Sequence, residues 1–370
     1  MMNRLRMKWD ELRHEGSRQF YYQRPFSGDL PHRLLILGVD HRIPQSQVFP
    51  FHYYQNALRR AGVEVREAPV ESYGVASHRP SGATAVAIQS HFNTDEAELD
   101  QLLSRVREAN PDARITYMDW FAPTDLRLAP LVGDRADIYL TKHLLRDREA
   151  YGRPTRGETT LMDHYGERFG LGHDEQAIAI PKHFWEKLRL GPSFVTARFM
   201  LPVFDKKSFP EGPRPIDLHA RLAVEGTPWY QKMRQECAEA VDALEGVSKV
   251  TGKGIRHDRF LAELRQSKIC FSPFGYGEVC WRDFEAVMCG AVLLKQDMGH
   301  VETDPDLFIP GETYVPLRWD LSDFELVVRG LLADPGRCTR IARAAFQRMQ
   351  DYVRSDRFVD QMAPLWQEAV

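Results

Sequence analysis

Short aliphatic runs alternate with amphipathic stretches along most of the chain. Leu34-Leu35-Ile36-Leu37 is the first unbroken run, short enough and apolar enough for a strand buried on both faces, and Asp40-His41-Arg42 follows it as a polar loop. A helix over about 46–61 leads through Gly62 into a second strand at 63–66. The form then repeats: strands at 85–88, 115–118 and 136–140 frame a helix at 95–109 whose Leu99, Leu102, Leu103 and Val106 share one face. A last strand of this half is expected at 194–196. Strands that alternate with helices predict a parallel sheet covered on both sides.

The second half has the same rhythm. It runs strand 216–222, helix 229–244, strand 247–251, a Gly252-Lys253-Gly254 turn, helix 257–267, strand 269–271, a helix closed by Gly290, and strand 291–294. A loop with Asp304, Asp306 and Gly311 leads to a strand near 314–317, and helices at 323–332, 335–353 and 357–368 close the chain. Between the halves, 151–215 is rich in Gly, Pro and charge, and Phe209-Pro210-Glu211-Gly212-Pro213-Arg214-Pro215 has the stiff, extended character of a hinge. A chain of 370 residues also exceeds the size at which one core keeps growing. The expectation is therefore an α/β protein with a Rossmann-like domain at 1–201, a hinge at 202–215, a second such domain at 216–355 and a terminal helix at 356–370. Residues 1–30 read as a short helix packed on the body, because Asp10, Glu11 and Glu15 interrupt the basic face that an anionic membrane would select.

Composition narrows the class. Hydrophobic residues make up 43% and charged residues 27%, as in an ordinary globular protein, and the formal net charge of −3 argues against a nucleic-acid partner. The five cysteines form no C-x-x-C pair and read as core residues of a reducing compartment. With no apolar run of membrane-spanning length and no signal-peptide core, a cytoplasmic protein is expected, working in solution or at the inner face of the membrane.

The stretch from 269 to 297 carries the chemistry. A buried strand stops at Ser272-Pro273, and Gly275-Tyr276-Gly277 supplies a turn in which the backbone can take positive φ. In the helix that follows, Phe284, Val287 and Met288 mark the buried face, while Arg282 and Glu285 lie three apart on a neighbouring one. Strand, glycine turn and helix start make an anion site, to which Arg282 adds a bidentate phosphate donor and Glu285 an acceptor for ribose hydroxyls. The inferred ligand is a nucleoside diphosphate. The plainer alternative is a tight turn followed by a solvated Arg-x-x-Glu pair.

The succession Ser-Pro-x-Gly-x-Gly, Arg-x-x-Glu-Ala, Cys-Gly-Ala and an apolar strand resembles the donor-binding segment of GT-B glycosyltransferases, especially the exostosin-like and CgeB-like bacterial groups. The resemblance implies two Rossmann-like domains facing a cleft, a last helix that crosses back to the first domain, Arg282 on the donor diphosphate and Glu285 on the ribose. Many retaining members carry two glutamates eight positions apart, whereas Glu278 and Glu285 here are seven apart. Gly275, Tyr276 and Gly277 would line the donor site, and Arg221 and Lys253 would reach the diphosphate beside Arg282.

Ligands of such sheets sit beyond the carboxyl ends of the strands. Asp40, His91 and Asp119 follow three strands of the first half and are candidates for the base that deprotonates an acceptor; each could equally be a cap or a hydrogen-bonded loop residue. Trp120 and Phe121 are candidates for stacking on a sugar or for the core. The expected reaction is metal-independent transfer from a nucleotide-sugar, without a cofactor, to a glycan or lipid-linked glycan. A nucleotide-sugar 2-epimerase of the same architecture and a non-catalytic nucleotide- or glycan-binding protein are the alternatives.

Overall fold

A computed structural model describes residues 12, 16, 18, 23–73, 80–153, 155, 159–172, 180–193 and 198–367. The first half contributes β1 (His32–Gly38), α1 (Gln45–Tyr53), α2 (Gln55–Arg60), β2 (Val63–Pro69), β3 (Ala85–Ile88), α3 (Glu96–Ala109), β4 (Arg114–Asp119), α4 (Ala129–Val132), β5 (Ile138–Thr141), β6 (Leu144–Leu145), α5 (Thr160–Arg168), β7 (Leu188–Leu190) and α6 (Met200–Lys206). Six of its strands form a sheet in the order β2-β1-β3-β4-β5-β7, every pair parallel. Leu34 to Leu37 are fully buried at its centre, as an uninterrupted aliphatic run requires. The strand expected at 194–196 lies outside the described residues, apart from its flanks, and the sixth strand is β7 instead. The helix expected at 46–61 divides at Tyr54, one turn after Pro50 removes a backbone donor. Of the N-terminal segment, only Leu12, Gly16, Arg18 and the residues from 23 onward are described.

The second half contributes β8 (Ile216–His219), α7 (Pro228–Asp242), β9 (Lys249–Val250), α8 (His257–Arg265), β10 (Ser267–Phe271), α9 (Trp281–Met288), β11 (Val292–Gln296), β12 (Val301–Glu302), β13 (Val315–Leu317), α10 (Phe324–Ala333), α11 (Pro335–Arg354) and α12 (Arg357–Met362). Five strands pair in parallel in the order β13-β11-β10-β8-β9. The molecule thus has two Rossmann-like parallel sheets, as the alternation of strands and helices predicts.

The lobes are tied together by strand pairing and by two helices that cross over. β6 pairs antiparallel with β12, Val301 opposite Leu145. Helix α12 packs on the first lobe: the Phe358 ring stacks on Tyr54 at 4.7 Å and meets Phe51 edge-on at 5.1 Å. In the other direction, α5 lies on the second lobe, where Tyr165 stacks on both Trp229 and Trp319 and donates a hydrogen bond to the Trp319 carbonyl.

The 202–215 stretch, expected as a stiff, extended hinge, lies packed along the second lobe. Its start is the helix α6, whose Phe204 is fully buried against Phe346, and Gln350 donates to the carbonyls of Phe204 and Lys207. Further along, Arg214 donates to the carbonyls of Pro210, Ser267 and Cys289. Prolines and glycines there shape a packed strap on the second lobe. The chain passes between lobes before α6 and again between α11 and α12. No helix among the described residues is long and apolar enough to cross a membrane.

Candidate functional site

The turn after β10 is fixed by a buried ion pair. Lys295 and Asp283 have no exposed surface; Lys295 Nζ lies 3.3 Å from Asp283 Oδ1 and donates to the Ser272 carbonyl at 3.1 Å. Asp283 also accepts from Ser272 Oγ at 2.6 Å and, through Oδ2, from the Cys280 backbone N–H at 2.9 Å. Paired and hydrogen-bonded in this way, the two charges hold the turn to the start of α9. Neither Gly275 nor Gly277 has φ in the left-handed region. The glycine at 277 is needed for a different reason: a Cβ there would stand 1.9 Å from the carbonyl oxygen of Ala122 in the first lobe. Tyr276 is half-exposed, stacks on Tyr230 at 4.5 Å and accepts a hydrogen bond from the Thr227 N–H. Beside it opens a cavity of about 220 Å³ lined by residues of α5 and of the start of α7, among them Met162 and Trp229.

Positive charge collects behind this turn with no counter-ion among the described residues. Arg282 Nε and Nη1 are buried and have no hydrogen-bond partner. Arg234 reaches the same place from α7, is only 5% exposed, and its Nε is unpartnered too. One of its terminal nitrogens lies 4.0 Å from where a Cβ on Gly275 would stand. Its pKa is pulled down by burial and then by the neighbouring Arg282 charge. His219, fully buried at the end of β8, is lowered to about 4 by burial and by the same arginine. Because Asp283 already takes the Cys280 N–H, the attraction for an anion comes from these side chains more than from the helix end.

Glu285 sits one turn into α9, 6% exposed, with Oε1 2.6 Å from His257 Nε2. Its Oε2 makes no hydrogen bond to a described residue. Arg282 and Glu285 lie three residues apart on α9, and Gly275 faces Arg234. Arg221 and Lys253 are each paired with a carboxylate. The Arg221 fork closes on Glu263 at 2.6 and 3.0 Å and also reaches the Thr251 carbonyl, and Lys253 forms an exposed pair with Glu225. Which carboxylate each of them meets is not displayed in the sequence.

The three expected bases have separate surroundings. Asp119 is buried; Oδ1 accepts from the Phe121 N–H and Oδ2 from the Tyr139 hydroxyl, and burial pushes its pKa up. It caps the end of β4. His91 forms a surface pair with Glu71 at 2.8 Å. Asp40 is exposed and accepts from Arg18 at 2.6 Å. Its loop touches the second lobe, where the Arg42 guanidinium lies 4.7 Å over the Trp281 ring. Trp120 and Phe121 pack edge-on against each other, with the exposed Phe92 against Phe121 and Arg127 above Phe92.

Glu278 occupies the junction of the lobes. Thr124 Oγ1 of the first lobe donates to its Oε2 at 2.6 Å, His300 Nε2 is 3.2 Å from Oε1, and His143 Nε2 is 3.9 Å from Oε2. Burial would raise its pKa, but the hydrogen bond and charge of His300, with His143 and Thr124, overcome that and hold it low. The Thr124 loop is strained: the next residue but one, buried Leu126, has φ +55°. Among the described residues no group of three or more His, Cys, Asp or Glu side chains is placed to hold a metal ion. The paired aspartates of Asp304-Pro305-Asp306 are turned to other uses, Asp304 to Arg357 and Asp306 to the Phe308 N–H.

A family model described as glycosyl transferase-like matches residues 213–363, the half that holds Arg282 and Glu285. No curated protein matches the chain by sequence. Among solved structures, an alpha-glucosyltransferase in complex with UDP-glucose and DNA containing an abasic site is similar with a TM-score of 0.51 at 12% identity, over 91% of this chain and 99% of that one. The alpha-glucosyltransferase in complex with UDP gives a TM-score of 0.50 at 12% identity over 90% and 100%. The fold is therefore GT-B, with a glycosyl transferase-like second half. The exclusion of nucleic-acid partners is overturned, since an enzyme of this architecture is seen on DNA. Net charge is a sum over the whole surface, whereas phosphate contacts depend on local clusters.

Proposed function

We propose that the protein is a Leloir-type, metal-independent glycosyltransferase that moves a sugar from a nucleoside diphosphate donor to an acceptor hydroxyl. The observation that carries this reading is Arg282: a guanidinium with two buried, unpartnered nitrogens, one helical turn before a carboxylate with one open oxygen. An arginine in that state needs an anion, and the adjacent Glu285 suits the ribose hydroxyls of the same ligand. The order of motifs, closest in pattern to the exostosin-like and CgeB-like groups, supports the same assignment.

In the reaction, the bond from the anomeric carbon to the diphosphate oxygen breaks and a bond to the acceptor oxygen forms. The acceptor proton passes to a base, and the charge that develops on the leaving diphosphate falls against Arg282. Asp40 is the base we assign, because it is exposed beyond the end of β1 on a loop that touches the second lobe through Arg42, whereas both Asp119 oxygens are taken by hydrogen bonds and His91 is paired with Glu71. For the acceptor, support comes from the DNA-bound glucosyltransferase of like fold and from two cation–aromatic pairs, Arg42 of the first lobe over Trp281 of α9 and Arg127 over Phe92 within the first lobe, where nucleobases would stack.

The test is incubation with a panel of nucleotide-sugars, with and without DNA carrying hydroxymethylated bases, followed by analysis of both sugar and nucleotide. Acceptor-dependent release of nucleoside diphosphate with labelled acceptor supports transfer. An altered sugar without acceptor indicates an epimerase, and binding without turnover indicates a non-catalytic module; either contradicts the proposal.

A further inference from the structure

We propose that Arg234 is a second ligand of the donor diphosphate, and that the free protein holds this arginine unpaired at the expense of its own stability. The inference rests on the donor reading above and adds a residue that no strand-turn-helix pattern marks. Arg234 lies in the middle of α7, where an arginine with a structural role would be tied into an ion pair, as Arg221 is with Glu263. It makes neither a hydrogen bond nor an ion pair with any described residue, although it is 5% exposed and its Nε is shielded from solvent. What holds it is the Tyr230 ring, 5.1 Å from its guanidinium carbon; Tyr230 in turn stacks on Tyr276 of the donor turn.

Two guanidinium groups close enough to perturb one another, both with buried unpartnered nitrogens, are unfavourable without an anion between or beside them. Among the described residues no carboxylate pairs with either guanidinium. Asp283 is committed to Lys295, Glu278 to Thr124 and His300, and Glu285 to His257. A diphosphate carries more than one negative charge and enough oxygens for two forks. Binding would therefore remove a repulsion as well as add contacts, and the ligand would stabilise the fold in proportion to its occupancy.

The experiment compares wild type, Arg234→Met and Arg234→Lys by thermal unfolding and by titration calorimetry with inorganic pyrophosphate and with UDP and GDP. We expect Arg234→Met to unfold at the wild-type temperature or roughly 2 °C or more above it when no ligand is present. Its affinity for pyrophosphate should fall at least about tenfold, and Arg234→Lys should lose several-fold, because a point charge cannot reproduce the fork. Wild-type pyrophosphate affinity in the variants would overturn the proposal and leave the donor reading standing. If wild type itself binds neither pyrophosphate nor a nucleoside diphosphate, both fall. Should Arg234→Met fail to fold, Arg234→Lys decides: reduced affinity supports the assignment and unchanged affinity refutes it.

Discussion

One turn of α9 separates Arg282 from Glu285, and that local spacing is why both were legible in the sequence. Arg282→Ala is expected to lower kcat/KM by about 10²–10³, the usual loss for one preorganised donor to a developing oxyanion, with the unfolding temperature little changed. Steady-state kinetics beside a melting curve checks this. Arg234, 48 positions upstream, was not legible, because neither its burial nor its missing partner exists until α7 packs beside the turn. The converse holds for Arg221 and Lys253, whose polar character was visible and whose nearest carboxylates were not. Asp119 reads as a candidate base for the same reason; only the structure shows both its oxygens taken.

Glu67 gives a residue-scale prediction about pH. It is 1% exposed and faces His52 Nε2 at 2.6 Å, the Arg18 guanidinium at 2.8 Å and Gln45 Nε2 at 3.0 Å. Burial pushes its pKa up, but these partners, His52 first, outweigh it and hold the carboxyl at about 2. A depressed carboxyl stabilises the fold above the unfolded pKa, near 4.5, and loses that contribution as pH falls toward 2. Denaturant titrations of wild type and Glu67→Gln should therefore differ by about 3 kcal/mol at neutral pH, with the gap closing across that acid window. A gap independent of pH would contradict the assignment.

Among elements, strands were the easiest to foresee. Leu34 to Leu37 and Ile269 to Phe271 are buried on both faces, which leaves no other use for unbroken apolar runs. Glycine and proline report backbone freedom in sequence but can serve close packing in the fold, as they do in the turn after β10 and in the 202–215 strap. Gly277 shows it most sharply, because its lack of a side chain admits the Ala122 carbonyl of the other lobe. Gly277→Ala should push the lobes apart, lowering the transfer rate at least about tenfold through misplacement of the reacting groups while nucleoside diphosphate affinity stays within a few-fold of wild type. The separation of kcat from Kd is the readout. Helix α5 was hidden because its apolar residues match the second lobe, a partner that periodicity does not name.

At the scale of the molecule, α12 ties the end of the chain to the first lobe, where Phe358 packs on Phe51 and Tyr54. Phe358→Ala removes a fully buried ring between Tyr54 and Phe51 and should cost about 3–5 kcal/mol, read as a lowered denaturant midpoint. The two-lobed α/β plan was visible in chain length and in the doubled succession of strands and helices. Partner class was not, because overall charge averages away the clusters that contact a ligand.

The central claim is that a nucleoside diphosphate is gripped at the start of α9 by Arg282 and Glu285. Titration calorimetry of wild type and Arg282→Ala against UDP, GDP, ADP and CMP tests it most directly. The account predicts that wild type binds a diphosphate selectively and that Arg282→Ala binds it at least about tenfold more weakly. Equal affinity in the two proteins, or no diphosphate bound by wild type, would contradict it.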